Sequence, residues 1–138
     1  MFSTSHLHPM LVHFPIALAV VGLFFEVIFY RKGNQKPVCG EFILYLASLA
    51  AIAALLTGFL FTSSLSGDAL AMKDKHQLLA ILSTVFLVLT SIVYLYQRFG
   101  KKGKLNSVGL ALYFVSFVLI SLTGFLGGNL VYSYMIGL

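Results

Sequence analysis

HPMLVHFPIALAVVGLFFEVIFY, residues 8–30, is an apolar run that carries two histidines and two prolines at its start and one acid, Glu26, near its end. Its length decides the fold. About 20 consecutive apolar residues cross a hydrocarbon core of roughly 30 Å as an α-helix. Inside a bilayer each backbone amide must find its partner within its own segment, so the run reads as a helix. Three more runs of this kind follow, and the sequence predicts spans over about 9–30, 42–63, 76–97 and 107–128. The 138 residues are 59% hydrophobic and only 9% charged, with a mean hydropathy of +0.98. A soluble domain of this length needs far more charge to cover its surface. With short connections, the expectation is one all-α transmembrane domain over residues 1–138, a four-helix up-down-up-down bundle built from two helical hairpins.

The net charge of +5 does not point to nucleic acid, because of where the charges lie. Arg31, Lys32 and Lys36 fall between spans one and two, and Arg98, Lys101, Lys102 and Lys104 between spans three and four. Asp68, Lys73, Asp74 and Lys75, between spans two and three, cancel. The positive-inside rule then puts both basic loops in the cytoplasm and both termini outside it. The partner these loops imply is the lipid bilayer, with some attraction to anionic headgroups. The first residues lack the basic region and small-residue cleavage site of a secretory leader, so span one reads as retained. Cys39 stands alone and offers neither a disulfide nor a metal cluster.

Leu56-Thr57-Gly58-Phe59-Leu60 recurs as Leu122-Thr123-Gly124-Phe125-Leu126, an offset of 66 residues. That offset superposes the two hairpins, as in parallel internal repeats, and maps His76 onto Met10. Ala50, Ala54 and Gly58 share a face of span two, and Gly124 and Gly128 form a GxxxG on span four, faces that let backbones approach closely.

All four histidines, His6, His8, His13 and His76, fall at the predicted outer end. His13 lies about 6 Å into its helix at 1.5 Å per residue, and a polar ring at that depth is by default a functional-site candidate. Pro9 reads as the first helical residue, which holds His8 ahead of the helix in an extended conformation. Pro15 removes a helical hydrogen bond and bends the span. The natural partner for His13 is His76, at the head of span three. Glu26 reads as a carboxylate reaching the interface near Arg31 or Lys32, ahead of a proton relay.

The element from His8 to Leu18 and the closing Gly127-Gly128-Asn129-Leu130-Val131-Tyr132 resemble the bacterial membrane family catalogued as domain of unknown function 2231. His76, Thr57-Gly58 and Thr123-Gly124 belong to the same resemblance. It implies a four-span protein of the bacterial inner (plasma) membrane, in some relatives fused to or accompanying Rieske or cytochrome c modules.

Three functions compete. The first is a haem b protein, since bundles hold cofactors between facing helices and haem iron is commonly held by histidine. His13 and His76, with His8 as the alternative, are the axial candidates. Gly58, Gly124 and Gly128 would leave room for the macrocycle, and Lys73, Lys75, Asn129 or Tyr132 would meet its propionates. Such a protein passes electrons to a redox partner on the outer side, as a subunit rather than an enzyme, and a homo-oligomer stays open. The second is a cofactor-free scaffold or partner subunit. The third is a copper protein using His8, Met10, His13 and His76, with His6 nearby, since imidazole and thioether suit copper. A hydrolase is excluded by the absence of a Ser-His-acid set on the outer side and of HExxH.

Overall fold

The computed structural model describes residues 7–31, 38–61, 65–99 and 106–134. These form five helices: α1 (Leu7–Leu11), α2 (His13–Arg31), α3 (Val38–Phe61), α4 (Asp68–Phe99) and α5 (Asn106–Tyr134). Helices α1 and α2 together make one span, and four spans are long and apolar enough to cross a membrane. Each long helix packs on the next, and α5 closes the ring against α2. The packing is closest within α2–α3 and α4–α5, the two hairpins. Neighbouring helices run in opposite directions, because the start of each lies beside the end of the next. An all-α up-down-up-down bundle is what the apolar runs require.

The helix ends differ from the expected spans, for local reasons. Helix α4 begins at Asp68, so Asp68, Lys73, Asp74 and Lys75 occupy its first turns rather than a loop. Gly67 makes the entry, with φ +62°, and its carbonyl accepts from the amides of Leu70 and Ala71. Asp68 then sits where the positive end of the helix dipole favours an acid. Cys39 and Glu41 likewise lie in the first turns of α3 and Arg98 in the last turn of α4.

Span one is interrupted for a single residue, Val12, between α1 and α2, and the Val12 amide still donates to the His8 carbonyl at 3.1 Å. Pro15 follows closely and has no N–H to give the Leu11 carbonyl, so the disturbance lies where the sequence places it. Pro9, the third residue of α1, has no intrahelical bond to lose. His8 is therefore inside a helical turn and not extended ahead of it, because α1 already starts at Leu7.

Large apolar side chains such as Phe24, Leu49, Leu60 and Phe125 face outward, as lipid contact demands. The interior is built from small and hydroxyl residues. Ala19, Ala47, Ala51 and Ala54 are buried, with Leu44, Leu87 and Ile120 filling the spaces between them. Between membrane helices there is no hydrophobic driving force, so close backbone approach and interhelical hydrogen bonds hold the bundle. Ser48 and Ser91 join α3 to α4 at 2.8 Å, and Thr90 and Ser116 join α4 to α5 at 3.1 Å. The hydroxyl of Thr123 reaches Ser83 at 3.5 Å.

Candidate functional site

At one end of the bundle, the start of α1 and of α4 meets the end of α3 and of α5. His8 Nδ1 donates to the Ala54 carbonyl at 2.9 Å, with Thr57 Oγ1 at 3.4 Å. His76 Nδ1 donates to the Thr123 carbonyl at 3.0 Å. A carbonyl only accepts, so in each neutral ring the proton sits on Nδ1 and the lone pair on Nε2. Each ring lies flat against a glycine. A Cβ on Gly58 would stand 2.9 Å from Cε1 of His8, and one on Gly127 would stand 3.0 Å from Cε1 of His76. The two ring centroids are 6.2 Å apart with planes inclined at 75°.

Both rings border a cavity of about 290 Å³. Its walls are mostly apolar, Ile16, Leu55 and Ile120 among them, with Lys73 and Tyr132 also at its edge. A pocket of this kind, apolar with a few converging polar groups, is the usual form of a small-molecule site.

The family model described as "Predicted membrane protein (DUF2231)" matches residues 4–138. The chain belongs to the DUF2231 family. No curated protein and no solved structure matches it significantly.

The residues singled out in this DUF2231 chain fare differently in space. His8 and His76 come together, from the two hairpins. His13 borders the same cavity but is exposed, its Nδ1 donating to the Pro9 carbonyl of its own chain segment at 2.7 Å. The ring that meets His76 across the hairpins is therefore that of His8, itself bonded to α3 through the Ala54 carbonyl. His76 lies two turns inside α4, not at its head, since that helix starts earlier than its hydropathy suggests.

The glycines are also redistributed. Gly58 serves a histidine, but its counterpart in the repeated pentapeptide, Gly124, packs against Ile16. Gly127, named from the sequence only within the closing element of the family resemblance, takes the equivalent place beside His76. Gly128 borders the cavity with open space where a side chain would be. The separation from histidine to accepting carbonyl is 46 residues in the first hairpin and 47 in the second. The hairpins thus correspond at the site by 68 or 69 residues rather than 66. Matching the accepting carbonyls of Ala54 and Thr123, an offset of 69, maps Gly58 onto Gly127.

Asn129 and Lys75 are not among the residues bordering the cavity, whereas Tyr132, at 87% exposure, is at its rim. Met10 is 56% exposed and turned from the bundle, so the copper set of His8, Met10 and His13 does not converge. His6 lies outside the described residues. Among the described residues no group of three or more His, Cys, Asp or Glu is arranged to hold a metal ion.

The opposite end holds a second polar cluster that sequence reasoning placed wrongly. Glu26 does not reach the interface; it is 7% exposed and turned into the bundle, where Oε2 accepts from the Tyr94 hydroxyl at 3.1 Å. Arg98 donates to Glu41 at 3.1 Å and its guanidinium lies 5.6 Å from the centre of the Phe42 ring. Glu26, Glu41 and Arg98 each sit near a helix end, and only the folded bundle shows that they share one layer.

Proposed function

We propose that the histidine end of this bundle binds haem b, with His8 and His76 as its axial ligands, and that the protein is an electron-transfer subunit of the membrane. One observation carries this reading: two imidazoles from different hairpins, each with Nδ1 tied to a backbone carbonyl, stand 6.2 Å apart at a shared apolar cavity.

The donor set fits the group. A metal-ligating histidine almost always donates its other ring N–H to a carbonyl or carboxylate, which fixes the tautomer and the ring plane. Both rings meet that condition before any ligand binds. With centroids 6.2 Å apart, the two rings are near enough that His8 and His76 would together hold one group bound at the cavity. Gly58 and Gly127 let each ring lie against a helix backbone, and Lys73 at the cavity edge suits an anionic propionate. Haem bound there supplies a one-electron couple whose potential is set by axial ligands and burial. The chain's own contribution is to hold both rings rigidly and to keep the pocket walls apolar.

The basic segments after α2 and after α4 support a cytoplasmic placement of the opposite end under the positive-inside rule, so the haem would lie toward the outer leaflet, facing a redox partner there. The test is an absorbance spectrum of the purified protein. A Soret band is expected, lost in His8→Ala and in His76→Ala and kept in His13→Ala. A colourless wild-type protein supplied with haem would sink the reading and leave a scaffold, in which the two Nδ1 bonds serve only to lock helices. A band lost in His13→Ala but kept in His8→Ala would show the ligand pair to be wrong.

A further inference from the structure

Among the described residues three buried polar atoms stand without a hydrogen-bond partner: Glu26 Oε1, Tyr113 OH and Tyr45 OH. All three lie at the end of the bundle away from the histidines. The chain makes deliberate room for two of them. A Cβ on Gly40 would overlap the Glu26 carboxylate, and a Cβ on Gly22 would overlap the Tyr113 hydroxyl. Gly22 and Glu26 are four residues apart and so share a face of α2. Tyr113 is fully buried, and its ring meets that of Tyr94 edge to face at 6.3 Å.

The titratable groups around this carboxyl come from every neighbouring helix, and only Glu41 and Arg98 among them carry charge. Helix α3 presents Glu41 and Tyr45, α4 presents Tyr94 and Arg98, and α5 presents Tyr113. Arg98 is committed to Glu41 at 3.1 Å, so that pair is neutral as a unit and offers Glu26 no counter-charge. An unpaired carboxylate in such a place costs far more than a neutral group. A metal cation is a poor solution, because hard cations need about six oxygens or more, and among the described residues the one hydroxyl bonded to the carboxylate is that of Tyr94. One proton answers the deficit: on Oε1, the oxygen that no hydrogen-bond donor reaches, it removes the charge, while Oε2 keeps its bond from the Tyr94 hydroxyl.

We infer that Glu26 is a proton-binding site, taking up one proton on Oε1 in a pocket formed by Gly22, Gly40, Tyr94 and Tyr113. Binding forms one O–H bond and release breaks it; no electrons move. Ionisable groups inside a membrane commonly mark such proton sites. The site stands whether or not the histidine end binds haem.

Infrared spectroscopy of the full chain in lipid nanodiscs tests it. At neutral pH the wild type is expected to show the C=O stretch of a protonated carboxylic acid. That band is lost in Glu26→Gln, kept in Glu41→Gln, and shifted in frequency by Tyr94→Phe, which removes the hydrogen bond to Oε2. Should Glu26→Gln fail to fold, the wild-type band and its response to Tyr94→Phe still decide the matter. Absence of an acid band at neutral pH, or a band indifferent to both Glu26→Gln and Tyr94→Phe, overturns the inference.

Discussion

The proton on Nδ1 is what gives His8 and His76 their orientation, and the glycine beside each ring is what gives it a place. This makes a prediction at the scale of single atoms. In Gly58→Ala and Gly127→Ala the new Cβ meets ring carbon at 2.9 and 3.0 Å, tighter than an unstrained contact, so each ring must give way by a few tenths of an ångström and strain its bond to the carbonyl. Overpacking of this kind typically costs about 1–3 kcal/mol. Both variants are expected to lower the thermal midpoint and to hold less haem than wild type. Gly128→Ala, with open space around its Cβ, is expected to change stability by no more than about 0.5 kcal/mol. Equal effects at all three glycines, in thermal unfolding or haem content, would mean the rings do not depend on those close approaches. None of this spacing was legible in the sequence, where a histidine and the carbonyl it meets are separated by most of a hairpin.

The helices themselves were legible, because twenty apolar residues in a row admit few other structures. Their ends were not. Hydropathy falls at Asp68–Lys75, yet backbone bonding carries α4 through that charged stretch, since a helix end outside the hydrocarbon tolerates charge freely. The interruption at Val12 was legible, because Pro15 announced a disturbance there. How the helices hold to one another is a separate question, answered by hydroxyls. Ser48 Oγ donates its one hydrogen to the Leu44 carbonyl, so across the interface Ser91 must be the donor to Ser48. A double-mutant cycle on Ser48→Ala and Ser91→Ala should give a coupling of about 0.6 kcal/mol, the average for interhelical bonds in membranes, and below about 1.7 kcal/mol. Strictly additive losses would show that the serines matter for their size, as small residues that let α3 and α4 approach, and not for the bond between them.

Across the whole molecule the two ends are chemically unlike. One gathers His8, His76 and the apolar cavity; the other gathers Glu26, Glu41, Arg98 and the tyrosines, and leads into the basic stretches of the sequence. The bundle interior between them is crossed by hydroxyl pairs but interrupted by a fully buried layer around Leu87, Ala19 and Ile120, so the two sites are best regarded as serving opposite sides of the membrane. The orientation proposed above from the basic segments can be tested directly, because the chain carries its own reporter. Cys39 is the sole cysteine in the sequence, is free and exposed, and lies in the first turn of α3 at the Glu26 end. A membrane-impermeant maleimide should label it in inside-out vesicles and not in right-side-out cells. In the variant Cys39→Ser with Lys75→Cys, which moves the thiol to an exposed position beside His76, the pattern should reverse. The opposite result in both proteins would place the histidine pocket against the cytoplasm, where its electron donor would then have to be sought, and would mean that the seven basic residues flanking α2 and α4 do not set the orientation of this bundle. Labelling of both thiols from both sides would show that the chain inserts in two orientations, a state compatible with the fold but not with a partner confined to one face.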